Sequence, residues 1–109
     1  MLINRSKVET FIGFSIKARA LRMGSNAVGT LKKAFLIIVC DSAAQGTKDL
    51  ALAYAKKFNC PLMICKKLLE DITGKEKCKV AAVTNKDLAT AIISNQDDYF
   101  SISSGGNGL

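Results

Sequence analysis

A chain of 109 residues has room for one domain and one core, and 49% apolar against 23% charged residues are ordinary globular proportions. No run of about 18 apolar residues occurs, so no segment reads as a membrane-spanning helix. Sixteen Lys plus Arg against nine acids give +7, which favours an anionic partner, nucleic acid first.

The opening residues, Met1-Leu2-Ile3-Asn4-Arg5, lack the long apolar centre of a secretory signal, and a cytoplasmic location is the expectation. Ser6 then caps a predicted helix over residues 7–23, apolar on Val8, Phe11, Ile12, Ile16 and Leu21. Gly24 stops it. Ser25 or Asn26 restarts the chain as the cap of a short second helix to about residue 33, closed by Lys32 and Lys33.

Residues 35–40 are six apolar residues in a row, rich in β-branched types, and predict a strand buried on both faces. Asp41 and Ser42 turn the chain. Residues 47–58 place Leu50, Tyr54 and Phe58 on one helical stripe, which Asn59 and Pro61 end. A second apolar run fills residues 61–65. Strand, helix and strand in so short a span make a βαβ unit with parallel pairing. A short helix over residues 66–73 follows, stopped by Gly74. A third strand covers residues 78–83, and Asn85 caps a last helix to about residue 95.

The predicted fold is therefore a three-layer α/β/α sandwich of order ααβαβαβα. Residues 1–96 form its one domain. Residues 97–109, rich in Gly, Ser and Asp, read as a flexible tail with Tyr99 and Phe100 as its docking points.

Catalytic signatures are scarce. The chain has no His, so the commonest general base near neutral pH is missing. No nucleophile elbow, Walker A loop or dinucleotide fingerprint occurs. The four cysteines, at positions 40, 60, 65 and 78, include no C-x-x-C pair. Three fall in predicted strands as small buried hydrophobes, so reduced, metal-free thiols are expected. The expectation is a non-enzyme without cofactor or metal. What remains is basic surface near helix starts: Gly24, Ser25 and Asn26 open one helix, Lys66 and Lys67 another, and Lys32 and Lys33 flank the first.

Several short matches in order carry a family resemblance. They are Lys17-Ala18-Arg19 followed by Gly24, Lys33-Ala34-Phe35-Leu36-Ile37-Ile38, and Asp41-Ser42-Ala43 with Thr47-Lys48. Asn59-Cys60-Pro61-Leu62 and Ile72-Thr73-Gly74-Lys75-Glu76 before Val80-Ala81-Ala82-Val83-Thr84 complete them. Over residues 10–94 the chain resembles the bacterial YlxQ-type branch of the ribosomal L-seven-Ae and L-thirty-e superfamily. That resemblance implies an L-thirty-e-like sandwich that binds structured RNA, kink turns included, as a ribosomal or ribonucleoprotein component. It implies contacts from Gly24, Ser25, Asn26 and Thr30, from Asp41 and Ser42, and from Lys66, Lys67, Leu69 and Glu70, with Lys32 and Lys33 alongside. Ala27, Thr30 and Glu70 stand where the family pattern has an acid or amide, a lysine and a glycine. These three residues favour a second reading, a protein–protein module that kept the scaffold.

Overall fold

The computed structural model describes residues 6–103. The elements run α1 (Lys7–Lys17), β1 (Leu21–Met23), α2 (Ser25–Gly29), β2 (Leu36–Cys40), α3 (Gln45–Phe58), β3 (Leu62–Cys65), α4 (Leu69–Thr73), β4 (Val80–Val83), α5 (Lys86–Ser94) and β5 (Phe100–Ile102). The strands form one mixed sheet in the order β1-β4-β2-β3-β5. β2 and β3 pair in parallel across α3, as the apolar runs predict. The remaining three pairings are antiparallel.

β2 has no residue that reaches solvent. Successive side chains of a strand point to opposite faces, so both faces of the sheet centre are covered. α1 packs with α4 and α5, and α2 packs with α3. α3 comes close to the sheet through Ala51 and Ala55, which are buried, while Leu50 of the predicted stripe is exposed. Small residues at that contact let the helix backbone approach β2. No described helix is long and apolar enough to cross a membrane.

The elements differ from expectation at their ends, each time for a local reason. α1 begins with a reciprocal Ser6–Glu9 capping box but stops at Lys17, not residue 23. Arg19 adopts a left-handed φ of 57°, and the Ala20 N–H donates to the Ser15 carbonyl at 2.7 Å. Leu21, Arg22 and Met23 thereby leave the helix and pair with Val83, Ala82 and Ala81. α2 ends at Gly29 because the N–H groups of Thr30 and Leu31 turn back to Ala27 and Val28. α4 starts at Leu69 because the Lys66 N–H donates to the Tyr99 carbonyl and stays with the sheet.

The larger difference lies at the carboxyl end. Phe100–Ile102, within the predicted tail, is strand β5 and pairs with Cys65, Ile64 and Met63. Phe100 is fully buried and Tyr99 is half-exposed. The domain therefore extends past residue 96 to at least Ile102, and the observed order alternates helix and strand throughout. The expectations for residues 1–5 and 104–109 lie outside the described residues.

Candidate nucleic-acid interface

Strand directions decide which loops meet. β2 and β3 run the same way, and β4 runs against β2. The ends of β1, β2 and β3 therefore lie at one edge of the sheet with the starts of β4 and β5. Backbone bonds tie this edge together. The Gly24 N–H donates to Val80 at 2.8 Å, Cys40 to Lys79 at 2.8 Å, Asp41 to Cys65 at 2.7 Å and Lys66 to Tyr99 at 2.8 Å. The turn at residues 24–26, the Asp41-Ser42 turn and residues 66–70 thus come together from distant parts of the sequence.

Gly24 has φ 98°, a conformation that side-chain-bearing residues rarely adopt. It turns the chain from β1 into α2. The Ser25 carbonyl accepts from the Tyr54 hydroxyl at 3.0 Å, which fixes the turn to α3. Asn26 is exposed. Thr30 is exposed, and its hydroxyl donates to the Ala27 carbonyl at 2.7 Å. Ser42 is exposed, with its Oγ 3.1 Å from Cys40 Sγ. Leu69 is fully buried and anchors α4 in the core.

Three acids at this edge are paired, Glu9, Glu70 and Asp41, while Asp71, Glu76 and Asp98 are exposed there. Lys67 Nζ reaches Glu9 Oε2 at 2.9 Å and lies 4.9 Å from the centre of the Tyr99 ring. Burial alone would raise the Glu9 carboxyl, but the Lys67 hydrogen bond and the Ser6 N–H outweigh it and hold it below its ordinary value. Lys67 is raised in return, by Glu9 foremost. Glu70 accepts from the Lys77 N–H and, at 3.4 Å, from Lys79 Nζ. These contacts, the Lys77 N–H first, hold its carboxyl below the ordinary range. Glu70 thereby fastens the loop before β4. Asp41 faces Lys48 at 3.9 Å.

Lys66, Lys75 and Lys77 carry no acid partner among the described residues. All three are exposed. Lys75 Nζ lies 3.5 Å from the Met23 carbonyl, directly before Gly24. Lys75, Lys77 and Lys79 belong to this edge, although sequence reasoning does not place them there. Their signal is the charged connection before a strand, and only the antiparallel return of β4 brings it beside Gly24.

Lys33 lies elsewhere. It precedes the start of β2, its Nζ 5.0 Å from the Phe35 ring, and lines a groove with Pro61, Lys86 and Ile93 at the opposite edge. Lys32 is exposed on the same connection. At about 3.3 Å per residue, β2 separates the two edges by roughly 13 Å. The edge that gathers Gly24, Ser42 and Lys67 therefore does not include Lys33.

No family model matches the chain, and a search of the curated proteins returned no match.

Proposed function

We propose that this chain is a non-catalytic, cytoplasmic RNA-binding protein with an L-thirty-e-like fold. It grips structured RNA with the edge formed by the ends of β1, β2 and β3. The observation that carries this reading is the convergence there of residues 24–26, 41–42 and 66–70, the three segments that the family resemblance singles out. Lys66, Lys75 and Lys77 supply charge for phosphates. Asn26 and Ser42 supply exposed hydrogen-bonding groups for base edges or sugar hydroxyls.

The second reading, a protein–protein module, draws on the acids. Glu9, Asp41 and Glu70 already pair with Lys67, Lys48 and Lys79. That pairing reduces the field available to phosphate and suits a mixed-charge protein contact. An NMR titration with a kink-turn hairpin separates the two. Shifts confined to residues 24–26, 41–42 and 66–77 support the RNA reading. No shifts, or shifts centred on Lys33 and Lys86, overturn it.

A further inference from the structure

We propose that Cys40 and Cys65 are a redox-active dithiol that closes reversibly into a disulfide beneath this edge and loosens its hold on RNA. The second half of that statement rests on the function proposed above; the first half does not.

Cys40 and Cys65 are the last residues of β2 and β3 and are partners in the parallel register. Parallel neighbours lie about 4.8 Å apart, inside the span of roughly 4.4–6.8 Å that a disulfide bridges between Cα atoms. Partners in register present their side chains on the same face. Both thiols already converge on one atom: Cys40 Sγ donates to the Lys67 carbonyl at 3.4 Å and Cys65 Sγ to the same oxygen at 3.0 Å. Cys60 sits at the other end of β3, and Cys78 lies before β4 with its thiol turned to the Val80 carbonyl. Among the four, this pair alone shares a register and an acceptor.

The two sulfurs are unequal. Burial would raise Cys40, but the Ser42 hydroxyl and the Leu69 N–H stabilise its thiolate and bring it below the ordinary thiol value. Burial pushes Cys65 up to about 12. Both sulfurs are buried; Cys40, the better nucleophile, lies beneath exposed Ser42, which has to move for an oxidant to reach it.

With hydrogen peroxide as oxidant, the Cys40 thiolate attacks one oxygen. The O–O bond breaks, hydroxide leaves, and Cys40 becomes a sulfenic acid. The Cys65 sulfur then attacks Cys40 sulfur. The S–S bond forms, the S–O bond breaks, and the departing hydroxide takes the Cys65 proton as water. In sum, two thiols are oxidised and one peroxide is reduced to two waters. Pulling the two side chains together removes both thiol bonds from the Lys67 carbonyl. It also draws on the turns that directly follow, Asp41-Ser42 and Lys66-Lys67.

The test treats the full chain with hydrogen peroxide, then counts thiols under denaturing conditions and maps the cross-link by mass spectrometry. Cys60→Ala is used for the mapping, so that Cys65 is the only cysteine of its tryptic peptide. The expected result is loss of two thiols, a Cys40–Cys65 cross-link, and full return with dithiothreitol. Cys40→Ala and Cys65→Ala should each abolish the cross-link. Four surviving thiols, a cross-link through Cys78, loss of the cross-link in the Cys60→Ala chain, or oxidation of Cys40 without pairing overturns the dithiol. In a separate arm, the oxidised chain should bind a kink-turn hairpin about fivefold or more weakly than the reduced chain. Equal affinity overturns the control of the site. If the reduced chain binds no RNA, the function fails while the thiol map still decides the dithiol.

Discussion

Replacing Phe100 by Ala probes the element least visible in the sequence. Phe100 is fully buried and heads the largest core side chains. It sits opposite Cys65 at the start of β5. Removing a buried phenyl ring forfeits about 1.5–3 kcal/mol of transfer free energy, and with the cavity left behind the cost is roughly 3–5 kcal/mol. A domain of this size has about 5–15 kcal/mol in all. In urea, at a slope of roughly 1–3 kcal/mol per molar, the midpoint should fall by about 2 M with the slope unchanged. Tyr99→Ala is the internal control. Tyr99 is half-exposed, so its loss should cost under about 1 kcal/mol. A Phe100→Ala cost below about 1 kcal/mol, or equal costs for the two variants, would refute β5 as part of the core.

Gly29→Ala should fail to bring the gain of roughly 0.5–1 kcal/mol that removing a helical glycine usually brings. The new Cβ would meet the Tyr54 hydroxyl at 2.7 Å and displace it from the Ser25 carbonyl. Thermal unfolding checks this, and a stabilised variant contradicts it. Glu9 is held below its ordinary value in the folded state, so its contribution is present above that ordinary value and lost as pH falls through the lower folded one. Glu9→Gln should therefore flatten the decline in stability as pH falls below the ordinary carboxylate value, and unchanged acid sensitivity would show that the Lys67 pair contributes nothing. Asn26→Ala should reduce preference between RNAs while leaving the salt slope nearly intact, because an amide reads without neutralising charge; anisotropy against a kink-turn hairpin and a plain duplex measures both.

The three strands that the sequence announces, β2, β3 and β4, are the centre of the sheet. Their residues are covered on both faces, so Leu36–Cys40 reads as an unbroken apolar run. β1 and β5 are the outermost strands, three residues each. A three-residue strand is too short to declare a period, and Leu21 fits a helical stripe as well as a strand. Only pairing with Val83 decides it. Two turns at the candidate site, at Gly24 and Gly74, were legible because they take a positive φ that glycine tolerates, and Asn59 ends α3 at the opposite end of the sheet in the same way. Which lysines join them was not legible. Lys33 and Lys75 are equally basic in sequence, and strand direction alone sends one away from Gly24 and the other to it. Leu69 shows the same limit: proximity to the site in sequence says nothing about whether the side chain faces the core.

The central claim rests on charge held at one edge, and the salt dependence of RNA binding tests it most directly. Each phosphate neutralised releases counterions, so affinity falls as salt rises. Binding of a kink-turn hairpin should weaken steeply with salt. The Lys66, Lys75 and Lys77→Ala triple variant should reduce the slope by about one for each phosphate that is no longer neutralised. Lys33→Ala with Lys86→Ala, at the opposite edge, should leave it unchanged. No binding at low salt, or a slope that disappears without Lys33 and Lys86 and persists without Lys66, Lys75 and Lys77, would contradict the account.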